Sequence, residues 1–118
     1  MREILFRGKT GSGEWEYGVP VFYGLNNELA FMKQMHSYDH QVIPETVGQF
    51  TGLTDKNGVK IFEGDIVKIG SFMPGADDWV CAIEWDYALF EEYKYVWNTK
   101  CEVIGNIHDN PELLEDRQ

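Results

Sequence analysis

The sequence predicts a mainly β protein, folded as a small and strongly bent barrel or roll. The first ground is residues 49–69, QFTGLTDKNGVKIFEGDIVKI, where two sharp turns separate short extended runs. The second is composition: 43% hydrophobic and 14% aromatic residues favour a packed sheet over disorder. The third is a period of two over 14–21 and 79–86, which sets Trp15, Tyr17, Val19 and Val21, and then Trp79, Cys81, Ile83 and Trp85, on one face of a half-buried strand. At 118 residues the chain is read as one domain, enough to bury roughly two-thirds of its unfolded surface without a covalent staple.

Taken in order, residues 3–7 (EILFR) have a strand composition and 9–13 (KTGSG) read as a flexible break. Over 14–21, Trp15, Tyr17, Val19 and Val21 share one face and Glu14, Glu16 and Gly18 the other. The aromatic face is therefore expected to be core, and Pro20 restricts the strand to an edge. Residues 26–35 (NNELAFMKQM) are read as a helix, with Leu29, Met32 and Met35 near one face and Asn26 or Asn27 as the cap. Residues 36–44 show no period and are read as a loop.

The first sharp turn is 54–58 (TDKNG). Asp55 can fold its carboxylate onto backbone N–H groups, Asn57 tolerates unusual dihedrals, and Gly58 supplies a positive φ without a Cβ clash. Val59, Ile61 and Phe62 form the returning strand. A second turn at Glu63-Gly64-Asp65 forces the chain to bend again before Ile66 to Ile69 extend once more. Residues 71–78 (SFMPGADD) read as a mobile loop with Pro74-Gly75 at its tip. In 79–86, Trp79, Cys81, Ile83 and Trp85 are expected on a face that water does not reach, and Glu84 and Asp86 on the solvent face. Residues 93–97 and 101–107 are read as a hairpin turned at 98–100. At the end, Asn110 can cap and Pro111 can open one helical turn that Leu113 and Leu114 pin down. Short strands joined this tightly favour a barrel or roll of the SH3-like type, at about 46–110, preceded by an N-terminal extension at about 1–45 and followed by a turn and tail at 111–118.

A net charge of −10 opposes duplex nucleic acid, because no local basic patch is visible in the linear sequence. Neither a cleavable apolar leader nor an apolar run near 20 residues is present, so a cytoplasmic location without membrane contact is expected. In that compartment Cys81 and Cys101 are read as buried thiols.

MREILFR at the start, FTGLTDKNGVKIFEGDIVKI in the middle and EVIGNIHDNPELLE near the end resemble the YopX family of small phage and prophage proteins, in the same order and at similar spacing. Gly8-Lys9-Thr10 departs from the small residue, aromatic and Asp that often follow the Phe-Arg pair in that family. The resemblance implies a β-rich fold with an SH3-like core and a phage- or prophage-encoded protein in a bacterial cytoplasm. It implies no reaction. Gly52, Asp55, Asn57, Gly58, Gly64, Asp65, Gly105, Asn106 and Pro111 are accordingly read as structural turn residues.

No catalytic, cofactor-binding or metal-binding set is expected. His36, Asp39 and His40 have a spacing that would suit a metal only on a helix, and no further ligand motif accompanies them. Cys81 and Cys101 have no neighbouring base to lower their pKa. The densest acidic stretch adjoins aromatic residues, so Tyr87, Phe90, Glu91, Glu92, Tyr93 and Tyr95 are read as a partner surface combining charge steering with aromatic anchors. The expected role is a non-enzymatic accessory protein that binds another protein or itself. The alternative is a nucleic-acid-linked role, either single-strand binding beside Lys94 and Lys100 or mimicry of DNA by the acidic face.

Overall fold

A computed structural model describes residues 4–34, 38–71, 75–85 and 94–115. The protein is mainly β and ends in a short helix, as the sequence predicts. It divides into two compact units, Met1–Phe50 and Thr51–Gln118. Among the described residues the strands form antiparallel sheets, neither closed into a barrel.

The first unit is a meander. β1 (Phe6–Lys9), β2 (Trp15–Tyr23), β3 (Leu29–Lys33) and β4 (His40–Val42) lead through a single 3-10 turn, Pro44–Thr46, to the start of β5 (Gly48–Thr54), in the spatial order β4-β3-β2-β1-β5. The break at 9–13 is the β1–β2 turn, fastened by Thr10 N–H to Glu14 O at 2.8 Å and Gly13 N–H to Thr10 O at 3.0 Å.

The helix expected over 26–35 is instead a turn followed by β3. Gly24 at φ 96° and Asn27 at φ 55° reverse the chain, and Leu29 to Lys33 then pair with Tyr23 to Val19. Leu29 and Met32 satisfy a helical spacing, but Ala30 and Met32 equally satisfy a period of two. Pairing on both sides, to β2 and to β4, decides the outcome. Part of the expected loop over 36–44 is β4 for the same reason.

The face of β2 expected to be core is the outer one. Ala30, Met32 and Val42 are buried at the centre of the first unit, with Phe6 and Val47 against them. A Cβ on Gly8 would stand 3.0 Å from Val42 Cγ2 and 3.3 Å from Met32 Cε, and one on Gly18 would stand 3.2 Å from Met32 Cγ. Two inward positions, Gly8 on β1 and Gly18 on β2, are therefore glycine, which leaves room for side chains from β3 and β4. The alternation has the right period and the opposite sense. Pro20 is accommodated because β1 pairs only with Trp15 to Gly18, leaving β2 beyond that point with β3 as its ladder partner.

The second unit continues β5 into β6 (Lys60–Phe62) and contains a second sheet of order β8-β7-β9, made of β7 (Asp65–Ile69), β8 (Trp79–Ala82) and β9 (Cys101–Asn106). A register shift between Ile66 and Val67 against β9 bends this sheet. Leu53, Ile61, Val67, Ile83, Trp97 and Cys101 form its core.

Two expectations fail here. The strand read over 79–86 ends at Ala82, and although Ile83 is buried, Trp79 is 70% and Trp85 38% exposed, so that face is not sealed from water. The strand read over 93–97, with its turn at 98–100, is α1 (Lys94–Lys100) in its described part. Its Tyr, Val, Trp and Thr favour strands in isolation, yet the helical turn carries Trp97 into the core, and Thr99 Oγ1 donates to Tyr95 O at 2.7 Å. The closing helix is α2 (Glu112–Glu115).

Candidate binding face

The outward face of the first unit's sheet follows from its registers. Arg7 lies opposite Tyr17 and Lys9 opposite Trp15; Val19 faces Lys33, Val21 faces Phe31, and Tyr23 faces Leu29. Tyr17 is 45%, Val19 51%, Tyr23 46% and Leu29 44% exposed. These are large apolar groups side by side on paired strands, which is the arrangement that marks a contact surface.

The rings on this face are fixed by their neighbours. The Arg7 guanidinium carbon lies 4.1 Å from the centroid of the Trp15 ring, and Lys9 Nζ lies 5.2 Å from it. Such cation–π contacts are worth about 0.5–2 kcal/mol each and hold the indole flat. Tyr23 meets Phe31 edge to face, with centroids 5.7 Å apart at 77°. Lys33 Nζ donates to Asp39 Oδ2 at 2.7 Å, and that bond raises the lysine pKa.

Charge is divided unevenly along the chain. Up to Phe50 the sequence holds Arg2, Arg7, Lys9 and Lys33 against Glu3, Glu14, Glu16, Glu28, Asp39 and Glu45, so most of the net −10 belongs to the second unit. The register positions of β1, β2 and β3 on this face carry Arg7, which is buried, together with Lys9 and Lys33.

The turn residues have specific tasks. Asp55 is buried; its Oδ1 accepts the N–H groups of Asn57 and Val59, both at 2.9 Å, and its Oδ2 accepts Val103 N–H at 2.9 Å. Gly52, Gly58 and Gly64 stand at φ 90°, 82° and 93°. Asp65, also buried, accepts Phe62 N–H at 2.7 Å. Asn106 Oδ1 accepts His108 N–H and Asp109 N–H, both at 3.0 Å, and its amide donates to Asp109 Oδ2 at 3.1 Å. Gly105 serves packing: a Cβ there would stand 2.6 Å from Asn110 Oδ1 and 3.0 Å from Leu113 Cδ1. Pro111 precedes α2, and its carbonyl accepts Leu114 N–H at 3.1 Å.

Of the partner surface read from the sequence, Tyr87, Phe90, Glu91, Glu92 and Tyr93 lie outside the described residues, and Tyr95 is 73% exposed on α1. His36 also lies outside them. Asp39 is engaged with Lys33, and His40 Nε2 is 3.7 Å from Glu16 Oε1. Among the described residues no group of three or more His, Cys, Asp or Glu is placed to hold a metal ion. Cys81 and Cys101 form no disulfide with each other and lie on strands that flank β7 on opposite sides. Burial, and then the fields of Asp55, Cys81, Asp65 and Glu102, push the Cys101 thiol up to about 12, which keeps it protonated and unreactive at neutral pH.

The outward face was missed in the sequence because its aromatic residues were assigned to the core. The signal that could have found it is Arg7 and Lys9 in phase with Trp15 and Tyr17 across the first turn.

Fold and face together define a small, mainly β protein with an exposed aromatic sheet surface. The family described as YopX protein matches residues 24–115, and the chain belongs to that family. A search of curated proteins found no match. Among solved structures, the crystal structure of protein EF1440 from Enterococcus faecalis is similar, with 27% sequence identity and a TM-score of 0.62, over 97% of this chain and 99% of that one. No helix among the described residues is long and apolar enough to cross a membrane.

Proposed function

We propose that this protein is a non-enzymatic phage or prophage accessory protein of the bacterial cytoplasm, working by attachment through the outward face of β2 and β3. The observation that carries the reading is the contiguous exposure of Tyr17, Val19, Tyr23 and Leu29 on paired strands. Exposed apolar groups of this size cost solubility, and a surface that binds offsets that cost when covered. The family resemblance and the Enterococcus structure support the phage or prophage setting.

The test compares the full chain with a Tyr17→Ser, Tyr23→Ser, Leu29→Ser variant, after melting curves establish that both fold. Each is followed by light scattering across a dilution series and used as bait in a prophage-bearing lysate, with and without nuclease. Self-association or capture that the variant loses supports the reading. Identical behaviour of the two proteins overturns it.

A further inference from the structure

Resting on the reading that this face is the contact surface, we infer that its occupant is the same face of a second copy, the two sheets packed across a two-fold axis that passes over Pro20. The argument is self-complementarity. A two-fold contact sets one patch against itself, so that residue i meets j where j meets i. On β2 the outward positions 17, 19, 21 and 23 read Tyr, Val, Val and Tyr, the same from either end, with Pro20 at the centre. Reversing one strand over the other about that centre lays Tyr17 on Tyr23 and Val19 on Val21, each contact occurring twice. The same operation carries Leu25, fully exposed in the β2–β3 turn, to the level of Trp15 of the other copy. Phe31 holds Tyr23 edge to face, so that ring is braced before the copies meet.

Charge and area favour a copy over a foreign protein. A copy brings its own sign, so a face that binds itself must carry little net charge. The first unit holds four basic and six acidic residues of a chain with net charge −10. At this face Lys33 is bonded to Asp39 at 2.7 Å, and the pair enters the contact neutral. A foreign partner has no reason to repeat the order of β2 in reverse, whereas a copy does so by symmetry. Tyr17, Val19, Tyr23 and Leu29, each about half exposed, present roughly 300–400 Å² of largely apolar surface, up to half of the about 800 Å² that each partner of a standard interface buries. The remainder of the contact is polar rim, and the dimer dissociates in the micromolar range.

Sedimentation velocity of the full chain, from micromolar to near-millimolar concentration, is expected to show monomer passing to dimer and no larger species, since a two-fold contact closes. Val19→Lys, beside the axis, sets two added charges in one interface and should weaken the dimer by about tenfold or more, with an unchanged melting curve as control. Photo-oxidation, which joins tyrosine rings in contact, then reads the register. Within one chain six residues of strand, about 20 Å, separate Tyr17 from Tyr23, so a link between them joins two copies. Tyr17→Phe alone and Tyr23→Phe alone should each lose the covalent dimer joining residues 10–33 of both copies, and an equimolar mixture of the two should restore it in part. A chain that stays monomeric, a dimer indifferent to Val19→Lys, or a mixture that fails to restore the link overturns the inference. If lysate capture nonetheless depends on Tyr17, Tyr23 and Leu29, the contact face stands with a foreign occupant. If neither self-association nor capture depends on this face, both readings fall.

Discussion

The carboxylate of Asp55 accepts the backbone N–H of Val103 at 2.9 Å, joining a hairpin turn to a strand 48 positions further along the chain. The same side chain closes its own turn through Asn57 and Val59. One acidic residue thus fixes local geometry and a distant strand together, and it does so out of water, at 3% exposure. Asp55→Ala leaves three part-buried N–H groups without this acceptor and is expected to cost about 2–4 kcal/mol in urea unfolding. Asp55→Asn keeps an acceptor oxygen and should cost less. Equal losses for the two variants would show that only the packing of this side chain matters.

Gly64 and Gly18 separate two reasons for glycine. At Gly64 a Cβ would find its nearest neighbours at 3.8 Å, so the obstacle is the backbone itself at φ 93°. Gly64→Val is expected to destabilise by about 1–3 kcal/mol with strand pairing intact. At Gly18 a Cβ would run into the carbonyl oxygen of Lys33, which belongs to the paired backbone and cannot swing aside. Gly18→Ala should therefore loosen β2 from β3. Hydrogen exchange at Phe31 and Lys33 is the measurement, and unchanged protection there would refute it.

How much of this was legible in the sequence depends on the range of the forces concerned. Asp55, Asn57, Gly58 and Gly64 act on chain within a few residues, so TDKNG and EGD identified turns from residue chemistry alone. The sense of β2 did not yield in this way. Alternation reveals that Trp15, Tyr17 and Val19 share a face, but which face is buried depends on Met32 and Val42 arriving from other strands and requiring glycine opposite them. Residues 94–100 show the same limit: strand-forming side chains wind into a helix because Trp97 is worth more in the core than in a ladder. The binding face combines both problems, whereas the acidic aromatics near Tyr95 stand out in the linear sequence through charge alone.

Cys101 should give stability a specific dependence on pH. Its thiol is pushed up to about 12 from an ordinary 9.0, chiefly by burial, so the fold favours the neutral form. An unfolded chain ionises this thiol near 9, and the contribution is therefore complete below that pH and lost progressively as pH rises towards 12. Urea midpoints for the protein and for Cys101→Val should converge between about pH 8 and about pH 10.5. Parallel curves would exclude the linkage. Ellman's reagent should also modify the half-buried Cys81 first and reach Cys101 only on unfolding.

Asn106 holds the turn between β9 and α2 through the His108 and Asp109 amides. Asn106→Ala is expected to cost about 1–2 kcal/mol and to fray α2. Asn106→Asp keeps the acceptor but faces Asp109, to which the native amide donates at 3.1 Å, so it should be rescued by Asp109→Asn. A failure of that rescue would place the effect elsewhere.

The outermost strand of the first unit, β4, spans only His40–Val42. A ledge of that length gives a wandering chain too few rungs to grip, and with Pro20 interrupting the amide row of β2, ribbon-like stacking of copies finds no continuous template. At this edge, rings can stand in water beside a ladder too short to recruit another copy.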